Sequence, residues 1–397
     1  MGTALVGYAL MRKPAYGLLD PFVLNFLFVP FSAALLATLY VTHLVAARVL
    51  LVFGVGLGGY LLGVRAISAF FDRGSFRRAI NVAASSFTRA ELRGIFVAAL
   101  CLTALLAVLG VLGGAAGNAR QEFEKVFRPL VLIQGGLFLV TSIVLLSNSF
   151  STSRMASWVV VLTLLTLPFS GKSVFLPIVI WMGLKLFVAG RRLTLKWVAL
   201  GGVVALAGLS IMGAIAYRSF GPSGAMRLLA YRLWLSGDVY IYAYQLGALA
   251  AIRHYYHVSF IGYMLHPIAA LVGVHTYKKP LGSMLSSEVT GKNLVTGPNP
   301  QLPVLLDFFF PHALVFVATM SFLVGCSVMG LRALCVITAN TRSRFLHVGA
   351  VAAGVFLPAA GFLDIEQVTI QLVGLIAVCG IGCLADLVYL RGRARRP

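Results

Sequence analysis

Acidic residues are scarce in this chain: 11 Asp and Glu stand against 32 Lys and Arg in 397 residues, and charges of both signs make up only 11% of it. A soluble fold of this size needs far more polar surface to cover its core, so a soluble enzyme, with or without a membrane tail, is excluded. Cysteine is equally sparse. The five, Cys101, Cys326, Cys335, Cys379 and Cys383, lie mostly in apolar runs, with no CxxC pair and no secreted-type framework, and read as small packing residues. There is no HxxxH with a third ligand and no Asp-rich triplet, so neither a metal nor another cofactor is expected. No repeat of fixed period is visible, which speaks against a carrier built from internal repeats. The first ten residues are apolar but are followed by Arg12 and Lys13, the reverse of a secretory leader, and no cleavable leader is expected.

What the chain has in abundance is oil. Hydrophobic residues make up 60% of it and the mean hydropathy is +0.95. Apolar runs long enough to cross a bilayer recur from Pro21 almost to Leu390, which predicts an all-α, polytopic membrane protein forming a single membrane-embedded domain over 1–397. Runs bounded by charges or turn residues fall near 21–44, 49–70, 94–116, 129–147, 156–170, 173–190, 197–217, 233–252, 258–275, 305–331, 346–363 and 367–390, about 12 spans in all. Polar and aromatic residues interrupt 233–252 and 258–275, which alternatively form a hairpin in the outer interface, leaving ten. Either count puts both termini in the cytoplasm. Alternation then gives the same side to Arg73, Arg77, Arg78, Arg89 and Arg93, to Arg332, Arg342 and Arg344, and to the basic tail, so the net charge of +21 is mainly an orientation signal, not a nucleic-acid footprint. Gly54, Gly58, Gly59 and Gly63 give two small-xxx-small pairs suited to close helix packing.

The informative residues are those that break this pattern. Lys172, Arg218, Arg227 and Arg232 fall on the outer side, three of them in the basic outer segment 218–232. A solvated loop with stray charges is the plain reading. The functional one is an anion held at the outer face, because the planar guanidinium fork matches phosphate oxygens. Asp20, Asp238, Asp307 and Asp386 are set in or near apolar runs, where an ionisable group is costly. Asp20 and Asp386 read as interface residues at cytoplasmic ends. Asp238 and Asp307 lie at outer ends, where a carboxylate either pairs with the arginines or takes a proton from a hydroxyl nucleophile. His312, a helical turn or so from Asp307, is the alternative acid/base, and a capping role is its plain reading. His254 and His257 carry no metal spacing. The longest outer loop, 276–304, offers Ser, Thr, Asn and Tyr side chains suited to sugar hydroxyls.

These features resemble an O-antigen polymerase of the Wzy type. The resemblance rests on the many spans, the Ser170-Gly171-Lys172 break between two short helices, the Arg-rich outer segment, and the stretch Val295-Thr296-Gly297-Pro298-Asn299-Pro300-Gln301 before a span. In the family a Thr-Gly-x-Asn-like stretch precedes an acidic or aromatic position and a Phe-Gly pair; here Asp307 and Phe310-Pro311 follow. The resemblance implies a multi-pass protein of the bacterial inner membrane that polymerises undecaprenyl-diphosphate-linked oligosaccharide repeat units at the periplasmic face, without metal. It implies that Arg218, Arg227, Arg232 and Lys172 hold the diphosphate, that Asp238, Asp307 or His312 orients or deprotonates the acceptor, and that Tyr231, Asn299 and Gln301 meet glycan. A chain-length regulator and a flippase of the same pathway are the implied partners, besides the lipid-linked donor and acceptor. Two alternatives stay open: an O-antigen ligase, which transfers glycan to lipid A-core, and a lipid-linked-oligosaccharide flippase.

Overall fold

The computed structural model describes residues 15–16, 20–26, 29–112, 123, 126–146, 161, 165, 175–190, 237–271, 274, 279–291, 298–341, 343–359 and 361–394. Among these the structure is helical, with no strand. In chain order the helices are α1 (Pro21–Phe26), α2 (Val29–Val41), α3 (Ala47–Ser68), α4 (Arg73–Ser85), α5 (Arg89–Leu112), α6 (Arg128–Val144) and α7 (Phe175–Val188). There follow α8 (Asp238–Tyr240), running into a π-helical turn Ile241–Gln245, then α9 (Ala248–Arg253), α10 (Phe260–Leu271), α11 (Leu281–Thr290) and α12 (Leu302–Phe309). The last three are α13 (Leu314–Thr338), α14 (Arg344–Phe356) and α15 (Ile365–Ala394).

Four of these, α3, α5, α13 and the Ile365–Leu387 part of α15, are long and apolar enough to cross a bilayer, and only 28–39% of each apolar stretch is buried within the protein. The outward faces carry Leu51, Leu62, Leu105, Val108, Val111, Ile376, Ile381 and Leu384. A helix as apolar outside as inside is stable only in lipid, so the chain is a membrane protein. Other predicted spans are shorter or divided. The region expected as one span at 305–331 is two helices, α12 and α13, parted at 310–313 around Pro311, which has no amide hydrogen to continue the ladder. The regions at 233–252 and 258–275 hold, where described, only short helices. The spans expected at 156–170 and 197–217 lie almost wholly outside the described residues.

The chain divides into two compact units. The first comprises Met1–Ala66, Arg192–Cys326 and Ala359–Glu366. Its tightest seam is α3 against the first half of α13. A Cβ on Gly59 would strike the Ala318 carbonyl, one on Gly63 the Phe322 carbonyl, and one on Gly325 the Tyr60 carbonyl. Backbone meets backbone here, and the Cys326 thiol donates to the Gly63 carbonyl at 3.5 Å. Of the two small-residue pairs in the sequence, Gly59 and Gly63 make this seam, whereas Gly54 and Gly58 have nothing within 4 Å. Phe53, Tyr60, Tyr240 and Phe362 close the interior with edge-on and tilted ring contacts 5.4–6.4 Å apart. Asp20 is fully buried as a cap, its carboxylate accepting from Phe22 and Tyr16 amides at 2.8 Å.

The second unit comprises Ile67–Arg191, Ser327–Pro358 and Gln367–Pro397, with α6 packed against α4, α5 and α14. Asp72 caps α4 by accepting from the Gly74 and Ser75 amides, and its carboxyl is held below the usual range by the Ser75 side chain first and by those amides second. Arg344 joins Glu91 at 3.0 Å and Asp386 at 2.6 Å, which ties the starts of α5 and α14 to α15. Arg332, which sequence groups with the cytoplasmic flank, is fully buried, donating to the Gly354 carbonyl at 3.1 Å with its guanidinium 5.5 Å from the Phe76 ring centre.

Candidate functional site

The site is built on α12, in the first unit. Gln301 precedes this helix with only 1% exposure, accepting from the Tyr240 hydroxyl at 3.0 Å and donating to the Ser32 hydroxyl at 2.9 Å. The Leu302 amide donates to the Phe362 carbonyl at 3.0 Å. Pro303, pre-set for a first helical turn, leans where Gly56 lacks a side chain; a Cβ there would lie 2.7 Å from the proline ring. These contacts fix the start of α12 and hence the direction of its last turn. That turn carries Asp307.

Asp307 is 1% exposed, yet both of its oxygens are engaged. Arg48, in the first turn of α3, donates to Oδ1 at 2.5 Å. Arg253, the last residue of α9, donates to Oδ2 at 3.3 Å and to the Asp307 carbonyl, and its Nε donates to the Phe308 carbonyl at 3.1 Å. Tyr244 donates to Oδ2 at 3.0 Å. The backbone explains how α8 and α9 deliver these groups. The π-helical turn inserts an extra residue per turn and aims Tyr244 at the carboxylate. Gly247, at φ 70°, then reverses the chain in the left-handed region that glycine occupies without penalty, and α9 returns Arg253 to the end of α12. There Arg253 also satisfies carbonyls that a helix end leaves open.

The electrostatics follow directly. Two guanidiniums on one carboxylate leave a formal charge of +1, and the arginine side chains are 34% and 24% exposed. The arrangement is suited to an anion with planar or tetrahedral oxygens.

Beside it lies an aromatic tier. Tyr256 packs edge-on to Phe308 with centroids 5.6 Å apart, and Phe260 does the same to Phe309. The Tyr256 phenol is raised above its ordinary range by burial and by Glu366. Tyr255 donates to Glu288 on α11 at 2.7 Å, and its phenol is pushed up to about 12 by desolvation first and that carboxylate second. Helix α11, which falls within 276–304, packs on α9 and on the π-helical turn. That stretch is therefore tied, in its described part, to the elements that carry Arg253 and Tyr244.

The residues expected from sequence fare differently. Lys172, Arg218, Arg227, Tyr231 and Arg232 lie outside the described residues. Asp307 is ion-paired, with Arg48 and Arg253. His312 is exposed in the turn after α12, at φ 67°, rather than one turn along a shared helix with Asp307. Asp238 is half-buried at the start of α8, and Asn299 is exposed. Gln301 is buried and its amide is used to anchor α12. Among the described residues no group of three or more His, Cys, Asp or Glu could hold a metal ion. Arg48 and Arg253 go unnamed by sequence reasoning, although alternation already sets Arg48 on the outer side, between the spans at 21–44 and 49–70.

No protein-family model, no curated protein and no solved structure matches this chain.

Proposed function

We propose that the chain is a glycosyltransferase of the bacterial inner membrane that polymerises undecaprenyl-diphosphate-linked oligosaccharide repeat units at the periplasmic face. The observation that carries this reading is the arginine pair on Asp307: two part-exposed guanidiniums fixed by one buried carboxylate, with net positive charge, immediately after the long polar loop. Fixed cations are worth most where charge develops on a leaving group in a site poor in water. Arg48 and Arg253 would hold the donor's diphosphate, with Arg218, Arg227, Arg232 and Lys172 as the further cations of the outer face.

The chemistry needs no other acid on the leaving side. An acceptor hydroxyl attacks the anomeric carbon of the donor, the glycosidic C–O bond forms, the bond from that carbon to the diphosphate oxygen breaks, and polyprenyl diphosphate leaves with the electron pair. Single displacement inverts the anomer. The hydroxyl proton passes to Asp238 or His312 in this reading. The topology that goes with this reading has cytoplasmic termini and the region 233–275 in the outer interface. Arg48 and Arg253 share one carboxylate, which agrees with a segment that returns to the outer level rather than crossing.

Complementation tests it. The gene is deleted in its host, wild type, Arg48→Ala and Arg253→Ala are restored, and the extracted polysaccharide is run on a gel. Loss of the ladder with a single repeat unit retained on core, in the null and in a membrane-localised Arg48→Ala, is the expected result. Core without any repeat unit while lipid-linked polymer accumulates would make the protein a ligase. Lipid-linked single units stranded on the inner face would make it a flippase.

A further inference from the structure

Asp307 is more than a brace for the arginines. It is an anion already sitting where an anionic ligand would sit, and its two sides are unequal. On one side Arg253 is locked, since its Nε and one Nη also hold the carbonyls of Phe308 and Asp307. On the other side Arg48 makes one side-chain hydrogen bond among the described residues, to Oδ1, and is 34% exposed. Tyr244 holds Oδ2 from a π-helical turn, so the carboxylate keeps its position when Arg48 moves.

We propose that Asp307 is a displaceable internal counter-ion for Arg48: a diphosphate draws the Arg48 guanidinium off Oδ1, and the return of Arg48 to Oδ1 helps expel the product diphosphate. The inference rests on the diphosphate reading above and adds regulation of that same site. The physical ground is competition for one cation. A diphosphate brings more charge and more acceptor oxygens than a carboxylate, so it wins Arg48 when present. The carboxylate is covalently tethered beside Arg48, so its effective concentration is high and it reclaims the cation once the lipid product begins to leave. Such a device trades affinity for turnover.

The test uses the purified full chain in lipid nanodiscs with inorganic pyrophosphate as probe. Calorimetry measures its affinity for wild type, Asp307→Asn and Arg48→Ala. Infrared difference spectra of protein labelled with 13C in its Asp carboxyl groups report whether a carboxylate changes partner on binding. The expected result is that Asp307→Asn binds pyrophosphate about tenfold more tightly and releases it more slowly, while Arg48→Ala binds at least about tenfold more weakly. Wild type should give a carboxylate difference band that Arg48→Ala lacks. If wild type binds pyrophosphate but Asp307→Asn binds equally or less well, displacement is wrong and the diphosphate reading survives. If wild type does not bind it at all, the diphosphate reading and this inference fall together. Should Asp307→Asn not fold, the infrared band decides: its absence on binding to wild type overturns the proposal, and its presence there with loss in Arg48→Ala supports it.

Discussion

Arg48 and Asp307, 259 residues apart in the chain, meet at 2.5 Å. Arg253 reaches the same carboxylate from a third segment, but its role is broader, because it also caps α12. The two arginines should therefore separate on mutation. Arg48→Ala is expected to keep the melting temperature within a few degrees of wild type and to abolish the polymer ladder. Arg253→Ala should lose both, with a stability cost of about 1–3 kcal/mol from stranded α12 carbonyls. Thermal unfolding in detergent beside the gel assay distinguishes them. Arg48→Lys keeps the charge without the fork and should restore only part of the activity.

Gln301 and Asn299 offer a second contrast. The buried Gln301 amide joins Tyr240 to Ser32, so Gln301→Leu removes the acceptor of the buried Tyr240 hydroxyl and should cost about 1–3 kcal/mol. Asn299 is exposed, and Asn299→Ala should unfold like wild type. If Gln301→Leu melts as wild type does, the anchoring of α12 described above is mistaken.

The glycine seam predicts a positional effect within one helix. Gly63→Ala forces α3 away from the Phe322 carbonyl and should destabilise by on the order of 1–3 kcal/mol, visible as lower yield of folded protein. Gly58→Ala meets nothing within 4 Å and should be silent or slightly stabilising.

His312 stands at φ 67° in the exposed turn between α12 and α13. His312→Gly relieves left-handed strain of about 1 kcal/mol and should melt no lower than wild type. Loss of the polymer ladder in that stable variant would assign His312 to proton transfer; full retention would leave Asp238 as the acceptor of the proton.

The Tyr255 to Glu288 contact gives a pH signature. The Tyr255 phenol is raised from 10.0 to about 12, so its contribution to holding α11 is complete below pH 10 and is lost as pH rises through about 12. Since the ring is mostly exposed, the effect should be local, not global. Hydrogen exchange at 281–290 should accelerate in that alkaline window in wild type, and Tyr255→Phe should remove the pH step.

Much of this architecture is legible in the sequence because lipid imposes a simple rule: long apolar runs make helices, and α3, α5, α13 and α15 appear where such runs stand. The division of 305–331 into two helices is less legible, since Phe308 to Phe310 and Leu314 to Val317 keep the run apolar through Pro311, and hydropathy does not register a missing amide hydrogen. Asp307 stands out as an acid in oil. Its partners do not, because pairing over 259 residues leaves no local trace and an arginine one residue before a span has an ordinary explanation as a snorkelling anchor. Gln301 likewise reads as a loop amide next to sugar-binding residue types; only the tertiary contacts reveal it as an internal strut.

Helix α12 has eight residues, about 12 Å at 1.5 Å per residue, against a hydrocarbon layer of about 30 Å. It is too short to cross, and the irregular backbone at 310–313 that follows needs water or protein around it. Protein surrounds the helix itself, since Leu302 to Phe308 are all buried. Its acid is thus shielded by side chains rather than by solvent, and only the part-exposed arginines carry the charge of the cluster outward.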